Sequence, residues 1–350
     1  MSERKQVRVL IVDDSATTRA LIREVLASDP LLKVVGEATN PLEAREAIKV
    51  LNPDVMTLDI EMPHMNGLDF LEKVMALRPF PVIMVSNFTD RGAEETIRAL
   101  ELGAVDYIAK PTPRRPGSLN GLPARIRAAA RAKVHVRNLN WEKNERPASV
   151  CYQPNGAIVA VGASTGGVDA LIEVISRFPS NCPPTLVRIH MPAMFTAHFA
   201  RRLDRISKAT VREASDGDVL QPGKVFIAPG SIAHLQVSRS PTAMCRLRGT
   251  ERINGHRPSV DVLFHSVARR GQPAVGVILT GMGNDGADGL LAMRKAGAST
   301  IGQDAATSVV YGMPRVAFEI GAVQQQLRIE QIADAILSLT GMAGKEDKNA

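Results

Sequence analysis

The sequence predicts an α/β protein of two domains, each built around a parallel β-sheet. Apolar runs of strand length alternate with segments of helical spacing from residue 7 to residue 110, and a second such series begins near residue 156. A segment rich in Pro, Gly and basic residues separates the two series. A chain of 350 residues is long enough for two domains. We therefore expect a doubly wound sheet in the first half and a mostly parallel sheet in the second.

Five apolar runs of the first half predict strands, because buried parallel strands are apolar on both faces. The segments between them place apolar residues at helical spacing. The predicted strands are VRVLIV (7–12), LLKVVGEA (31–38), PDVMTLDI (53–60), FPVIMVSNF (80–88) and AVDYIAK (104–110), and the predicted helices are 15–29, 40–51, 67–78 and 91–103. We place the first domain at residues 5–112.

The next segment, 113–153, is predicted to be a basic interdomain linker that contains one Ala/Arg-rich helix, ARIRAAARAKVHVRNL (124–139). Ten Lys or Arg residues lie between positions 110 and 150 against two Glu, so the segment accounts for the formal net charge of +7. Such a linker is expected to contact an acidic partner or domain. Trp141 in this segment is expected to be a packing anchor.

The second domain is placed at residues 154–342, followed by a flexible tail, 343–350. The same alternation of apolar runs and helical spacing predicts its elements. The predicted strands are 157–163, 184–191, 224–230, 234–239, 274–282 and 299–304, and the predicted helices are 166–178, 195–207, 259–270, 285–297 and 330–340.

Composition excludes several classes of protein. Aromatic residues make up 4% of the chain, too few for a nucleic-acid stacking surface. No apolar run has the length of a membrane span or of a secretory signal. Three cysteines, Cys151, Cys182 and Cys245, show no CxxC spacing, which favours reduced thiols in the cytoplasm.

Polar side chains end the strands of the first domain. Asp13 and Asp14 follow the first strand, and Asp59, Ser86 and Lys110 end the third, fourth and fifth. Ligands of an open parallel sheet bind beyond the carboxyl ends of its strands, so these groups are expected to converge. Three neighbouring carboxylates repel one another unless a cation neutralises them, and Mg²⁺ prefers such oxygen ligands.

This arrangement resembles the response-regulator receiver domain over residues 5–112. The resemblance implies that Asp59 accepts a phosphoryl group from a sensor histidine kinase. It also implies that Asp13, Asp14 and Asp59 hold Mg²⁺ with the backbone carbonyl of Glu61. Lys110 can pair with a carboxylate or with the transferred phosphoryl group. The expected receiver switch residues are Ser86, Tyr107 and Lys110, and Ser86 and Tyr107 fall on the family's positions that reorganise on phosphorylation.

In the second domain, residues 162–166 read GASTG, which fits G-x-S-x-G between a strand and a helix. The loop has three interpretations: a nucleophile elbow that exposes Ser164, an anion site, or a plain tight turn. A nucleophilic serine needs a base, and His190 ends the next strand. An acid to orient the base is supplied by Asp285 in a glycine-rich loop after a later strand, with Asp288 as the nearby rival.

With these residues, the second half is similar to the catalytic domain of the chemotaxis protein-glutamate methylesterase (CheB) family. The stretches that carry the resemblance are VGASTGG, HMPAMFTAHFARRL, KVFIAPG, RPSVDVLF, ILTGMGNDGADG and GQDAATSVVYGMPR. The resemblance implies a triad of Ser164, His190 and Asp285, with Thr165 and the Met282 backbone N–H at the oxyanion.

The resemblance further implies hydrolysis of glutamate γ-methyl esters, and deamidation of glutamines, on chemoreceptors, without a metal in this domain. The chain is expected to act as a monomer without nucleic acid or membrane insertion. Phosphorylation of Asp59 is expected to shift the population towards an open, active form. Two alternatives stay open: a response regulator whose output domain binds nucleic acid, and a receiver-controlled esterase for small molecules.

Overall fold

The computed structural model describes residues 6–62, 65–87, 89–112, 117–134, 152–271 and 273–342. They divide into two compact units, the first containing the described residues up to 134 and the second those from 152 onwards. Both units are α/β, as the sequence predicts.

The first unit is a five-stranded parallel sheet in the order β2-β1-β3-β4-β5. The direction of the strand order changes at β1, so the carboxyl ends of β1 and β3 border the crevice where such sheets bind ligands. Asparagine side chains at Asn40 and Asn66 and hydroxyl side chains at Ser15 and Thr89 cap the first four helices. The strands are β1 (Val7–Val12), β2 (Leu32–Ala38), β3 (Val55–Asp59), β4 (Val82–Ser86) and β5 (Asp106–Ala109), and the helices are α1 (Ala16–Ala27), α2 (Pro41–Leu51), α3 (Gly67–Leu77) and α4 (Asp90–Glu101).

The first unit continues past residue 112, where the sequence places its end. Residues 117–134 form a 3₁₀ turn and a fifth helix, α5 (Leu122–Ala129), which packs against α1, β4 and β5. Arg125 of this helix forms an ion pair of 2.7 Å with Asp106. Part of the predicted basic linker is therefore a domain helix, because its apolar side is buried on the sheet at Leu119, Leu122, Ile126 and Ala129.

The remaining linker residues, including Trp141 and Cys151, lie outside the described residues, as does the predicted tail 343–350. The role proposed for that part of the linker stays a prediction. Cys182 and Cys245 are buried free thiols.

The second unit contains a seven-stranded parallel sheet in the order β14-β13-β12-β6-β7-β9-β8 and a separate antiparallel hairpin, β10-β11. Short elements with partly exposed side chains, β8, β11, β14 and α10, lack a clear apolar period and are not predicted from the sequence. The strands are β6 (Ile158–Ala163), β7 (Thr185–Ile189), β8 (Thr210–Glu213), β9 (Lys224–Ile227), β10 (His234–Val237), β11 (Cys245–Arg248), β12 (Ala274–Ile278), β13 (Ser299–Gln303) and β14 (Gln325–Leu327). The helices are α6 (Gly167–Ile175), α7 (Ala193–Ile206), α8 (Val260–Ala268), α9 (Ala287–Lys295), α10 (Met313–Glu319) and α11 (Ile329–Thr340).

The chain enters and leaves the second unit at one place. The Tyr152 hydroxyl lies 2.8 Å from Thr340 Oγ1, and the Met342 N–H donates to the Gln153 carbonyl at 2.8 Å. Pro154 and Gly341 form an isolated antiparallel bridge. The first and last described residues of the unit are thus held together by hydrogen bonds.

Candidate functional sites

The carboxyl ends of β1 and β3 bring three carboxylates together in the first unit. Oxygens of Asp13, Asp14 and Asp59 lie within 4.8 Å of one another, with Asp13 and Asp59 buried and Asp14 exposed. Lys110, at the end of β5, places its Nζ 2.7 Å from Asp59 Oδ2 and 3.2 Å from Asp13 Oδ2. The structure thus brings together four of the predicted site residues.

One lysine does not balance the charge of three carboxylates, two of which are buried. Burial, together with the charge of Asp13, raises the pKa of Asp59 to about 6, although Lys110 acts in the opposite direction. Burial also raises the pKa of Asp13. For Lys110, burial acts to lower the pKa, but the carboxylates of Asp59 and Asp13 outweigh it and raise the pKa.

This donor set fits a hard divalent cation. Asp13 Oδ2 is buried and lies 3.2 Å from the Lys110 ammonium, without a hydrogen bond of good geometry. A buried carboxylate oxygen beside two further carboxylates is the type of ligand set that Mg²⁺ prefers. The Glu61 side chain does not join the cluster, because its Oε2 accepts a hydrogen bond of 2.6 Å from Asn87 Nδ2. The role of the Glu61 carbonyl stays a prediction.

The two predicted switch residues are buried. Ser86, at the end of β4, accepts a 3.0 Å hydrogen bond from Thr96 Oγ1 of α4, so its hydroxyl is already engaged. Tyr107 on β5 is 8% exposed, and its carbonyl accepts a hydrogen bond from Arg125. Both residues therefore link the site to neighbouring elements, α4 and α5.

Ser164 lies in a tight turn between β6 and α6 in the second unit. Its N–H donates to the Thr280 carbonyl at 3.0 Å, and its carbonyl accepts from Gly167 at 2.7 Å, where α6 begins. Gly166 has a φ of +76°, which disfavours other residues, and a Cβ there would lie 2.5 Å from Val309. A Cβ at Gly281 would lie 2.7 Å from the Ser164 Cβ. Glycines on both sides thus leave room for the serine.

His190 follows the neighbouring strand, and Asp285 follows β12 on the other side of β6. The His190 N–H donates to the Ala163 carbonyl at 3.1 Å, so His190 and Ser164 end adjacent, paired strands. His190 Nε2 lies 2.8 Å from Asp285 Oδ2. The structure therefore pairs the predicted base with the predicted acid and brings Ser164 alongside through the backbone. The rival acid, Asp288, is exposed in the first turn of α9.

Asp285 accepts hydrogen bonds from four groups. Besides His190, these are the Ser259 hydroxyl at 2.7 Å and the backbone N–H groups of Val260 and Asp261 at 2.9 and 3.1 Å. The last three belong to the N-terminus of α8, where free N–H groups stabilise an anion. The sequence does not predict that the start of α8 belongs to the site. The signal that could have indicated it is Ser259, the capping serine in RPSVDVLF.

The pKa values of both members of the pair are lowered, each for its own reason. Burial lowers the pKa of His190 to about 4, with the Asp285 hydrogen bond opposing and the Arg188 charge reinforcing the shift. Burial alone would raise the pKa of Asp285, but the hydrogen bonds from His190 and the α8 N-terminus outweigh it and lower the pKa. The carboxylate is therefore ionised and the imidazole neutral at pH 7.

A second histidine, His256, packs on His190. The rings of His190 and His256 are stacked, with centroids 3.8 Å apart and planes 6° from parallel. Ring nitrogens of both histidines and an Asp285 oxygen lie within 4.8 Å of one another, a spacing that could hold a metal ion. The Asp285 oxygens, however, already accept the hydrogen bonds described above, which leaves them poorly placed as metal ligands.

The two predicted oxyanion residues lie at the edge of the site. Thr165 follows Ser164 directly and is 9% exposed, while Met282 is 39% exposed in the loop after β12. The Ser164 N–H is used by Thr280, so it does not serve as an oxyanion donor in this arrangement. The roles of Thr165 and Met282 as donors stay predictions.

Comparison with known proteins matches each unit to a family. Residues 159–336 match the CheB methylesterase family, and residues 9–116 match the response regulator receiver domain. The chain is 57% identical over 338 residues to a Caulobacter vibrioides protein named protein-glutamate methylesterase/protein-glutamine glutaminase 1, covering 95% of this chain and 98% of that protein. It is 56% identical to an Agrobacterium fabrum protein-glutamate methylesterase/protein-glutamine glutaminase, covering 95% and 96%.

Among solved structures, the Thermotoga maritima CheB methylesterase catalytic domain is 38% identical, with a TM-score of 0.51. It covers 53% of this chain, and this chain covers 99% of it. None of the helices in the described part of the chain is both long and apolar enough to cross a bilayer.

The two family matches and the identity to the named relatives show that the chain belongs to the CheB methylesterase family, and that it joins the methylesterase domain to a response regulator receiver domain.

Proposed function

We propose that this protein is a phosphorylation-activated serine hydrolase that converts glutamate γ-methyl esters on chemoreceptors to glutamate and methanol, for sensory adaptation. The same chemistry would convert specific receptor glutamines to glutamate with release of ammonia. The observation that carries the proposal is the 2.8 Å hydrogen bond between His190 and Asp285 beside the tight turn of Ser164.

We infer the roles of the two His190 nitrogens from the contact with Asp285. With the proton on Nε2, donated to the ionised Asp285, Nδ1 would take the proton of Ser164. The deprotonated Ser164 Oγ attacks the ester carbonyl, and His190 returns the proton to the departing methoxide, which leaves as methanol. Water, deprotonated by His190, then hydrolyses the acyl-enzyme and regenerates Ser164.

Charge in the transition state falls in two places. Negative charge on the ester oxygen is proposed to be held by backbone N–H groups at Met282 and Thr165. Positive charge on His190 is stabilised by ionised Asp285, which the α8 N-terminus holds in a fixed orientation. The neutral resting imidazole is ready to accept a proton at pH 7 without first losing one.

In the receiver domain, Asp59 is proposed to accept a phosphoryl group from a sensor histidine kinase. Asp13, Asp14 and Asp59 would hold Mg²⁺ with the Glu61 carbonyl, and the ion would neutralise charge on the transferring group. Lys110 lies 2.7 Å from Asp59 and would pair with an oxygen of the incoming phosphoryl group.

Ser86 and Tyr107 are proposed to reorganise when the group arrives, because both contact elements that flank the site. We propose that the protein acts in the cytoplasm as a monomer.

The decisive experiment measures methanol release from methylated receptor membranes. Ser164→Ala and Asp285→Asn are expected to abolish or strongly reduce release, whereas Asp288→Asn, the same change three residues later in the first turn of α9, is expected to retain it. Full activity of Ser164→Ala would refute the proposed mechanism. A phosphoryl donor should raise the rate of the wild type and not that of Asp59→Asn.

A further inference from the structure

An arginine is buried in the middle of the sheet that carries the hydrolase residues. Arg188 lies on β7, two residues before His190, and is 3% exposed. Arginine is almost never buried to this extent unless it is paired, since its charge loses water. The burial of Arg188 therefore indicates that it has a specific role.

The side chain points towards α8. Arg188 pairs with Gly162 of β6, and paired residues of adjacent strands point to the same face of a sheet. A Cβ at Gly162 would lie 2.3 Å from Val260, so this face carries α8. Arg188 Nε donates a 2.7 Å hydrogen bond to the carbonyl of Pro258, the second residue before α8.

This hydrogen bond completes a chain of contacts that begins at Arg188 on β7 and ends at His190, the residue directly after β7. Pro258 precedes Ser259, whose hydroxyl, together with the next two backbone N–H groups, binds Asp285. Asp285 in turn accepts from His190, two residues after Arg188. The distance between His190 and its carboxylate thus depends on where Arg188 holds the start of α8.

We propose that Arg188 is a positioning residue that sets the His190–Asp285 pair by fixing the segment before α8 to the strand that carries His190. It does not touch substrate. The inference rests on the hydrolase function proposed above and adds a residue that acts through Pro258 and Asp285.

The charge of Arg188 has a second effect, on the pKa of His190. Three charged or titratable groups face the His190 ring: Arg188 from β7, Asp285 from the loop after β12, and His256 from the segment before α8. Burial, Arg188 and His256 lower the pKa of His190, and Asp285 raises it. Removing the guanidinium should therefore make the imidazole easier to protonate.

The test compares Arg188→Met and Arg188→Lys with wild type in the full chain. Kinetics on methylated receptor membranes are measured from pH 4.5 to 8, together with the thermal unfolding temperature. The matched control is Arg212→Met, an arginine on β8 that stacks over Phe226 and pairs with Asp218.

Arg188→Met is expected to lower kcat by about 10- to 100-fold, the usual range for loss of a group that orients a catalytic residue, with KM within about twofold. The acid limb of its pH profile, where kcat/KM falls as His190 is protonated, should move to higher pH. Arg188→Lys keeps the charge, so its acid limb should stay while kcat falls, and Arg212→Met should change neither.

A folded Arg188→Met with wild-type kcat and acid limb overturns the proposal. If that variant does not fold, Arg188→Lys decides, because wild-type kcat there overturns it as well. A merely structural arginine would lower the unfolding temperature without moving the acid limb.

An NMR titration of the His190 ring in Ser164→Ala separates this inference from the proposed function, since it needs no turnover. Adding Arg188→Met to that background should raise the pKa of His190, and an unchanged pKa overturns the charge effect. If Ser164→Ala instead retains full methylesterase activity, the proposed triad fails, whatever the titration shows.

Discussion

Replacement of Asp59 by Asn should stabilise the receiver domain at neutral pH when no Mg²⁺ is bound. The pKa of Asp59 is raised from 3.8 to about 6, so the folded state holds the proton more tightly than the unfolded chain. A carboxyl group whose pKa is raised on folding stabilises the folded state below pH 4, and this stabilisation is lost as the pH rises through about 6. At pH 7.5 the ionised carboxylate therefore works against folding.

The size of the effect follows from the shift. Each pKa unit corresponds to about 1.4 kcal/mol, so ionised Asp59 costs about 3 kcal/mol. Since Asp59 is 1% exposed, water does not reduce this figure much. This figure already includes the hydrogen bond and the charge of Lys110, which oppose the shift. Replacement by the neutral Asn should therefore stabilise the domain by about 3 kcal/mol, which raises the unfolding temperature by roughly 12 °C.

Calorimetry of the full chain in EDTA measures this, with Glu24→Gln, an exposed change on α1, as the control. The gain from Asp59→Asn should shrink at pH 5, where wild-type Asp59 is protonated, and Mg²⁺ should stabilise wild type more than the variant. An unchanged or lower transition of Asp59→Asn at pH 7.5 would refute the reasoning.

Three further outcomes are expected in the second unit. Because the pKa of His190 is about 4, methylesterase activity should persist from pH 8 to pH 5 and fall only below that; loss centred near pH 6.5 would show that burial does not hold the ring neutral. Gly281→Ala should lower kcat about 100-fold, since its Cβ would clash with both the Met313 side chain and Ser164, and steady-state kinetics with wild-type KM and kcat would contradict this. Ser259→Ala should lower the free energy of unfolding by about 2 kcal/mol and reduce kcat, because it removes a hydrogen bond to Asp285 and a helix cap. Denaturant titration tests the last point, with Ser259→Thr expected to recover most of the loss.

The sequence predicts the parts of this molecule that depend on local pattern. Buried central strands such as β6 and β12 are continuous apolar runs, so both are found, and the rule that ligands bind at strand carboxyl ends then brings His190 and Asp285 together. Short strands at the sheet edges, β8 and β14, present polar residues to water and give no such signal.

Other features depend on contacts between distant residues. The sequence shows α5 as helical, but only packing decides that it belongs to the first unit. Ser259 and Asp285 are 26 residues apart, and no local pattern tells that one binds the other. The buried Arg188 looks like an ordinary polar interruption of an apolar strand until its partner, Pro258, is seen.

The hydrogen bonds that join Tyr152 to Thr340 and Met342 to Gln153 have a topological consequence. A unit whose two ends meet can be inserted into another chain, or have its ends linked and new ones opened elsewhere, at little cost in loop-closure entropy. The methylesterase unit is therefore suited to circular permutation. Its attachment to a receiver at one end is an arrangement that the fold permits without requiring it.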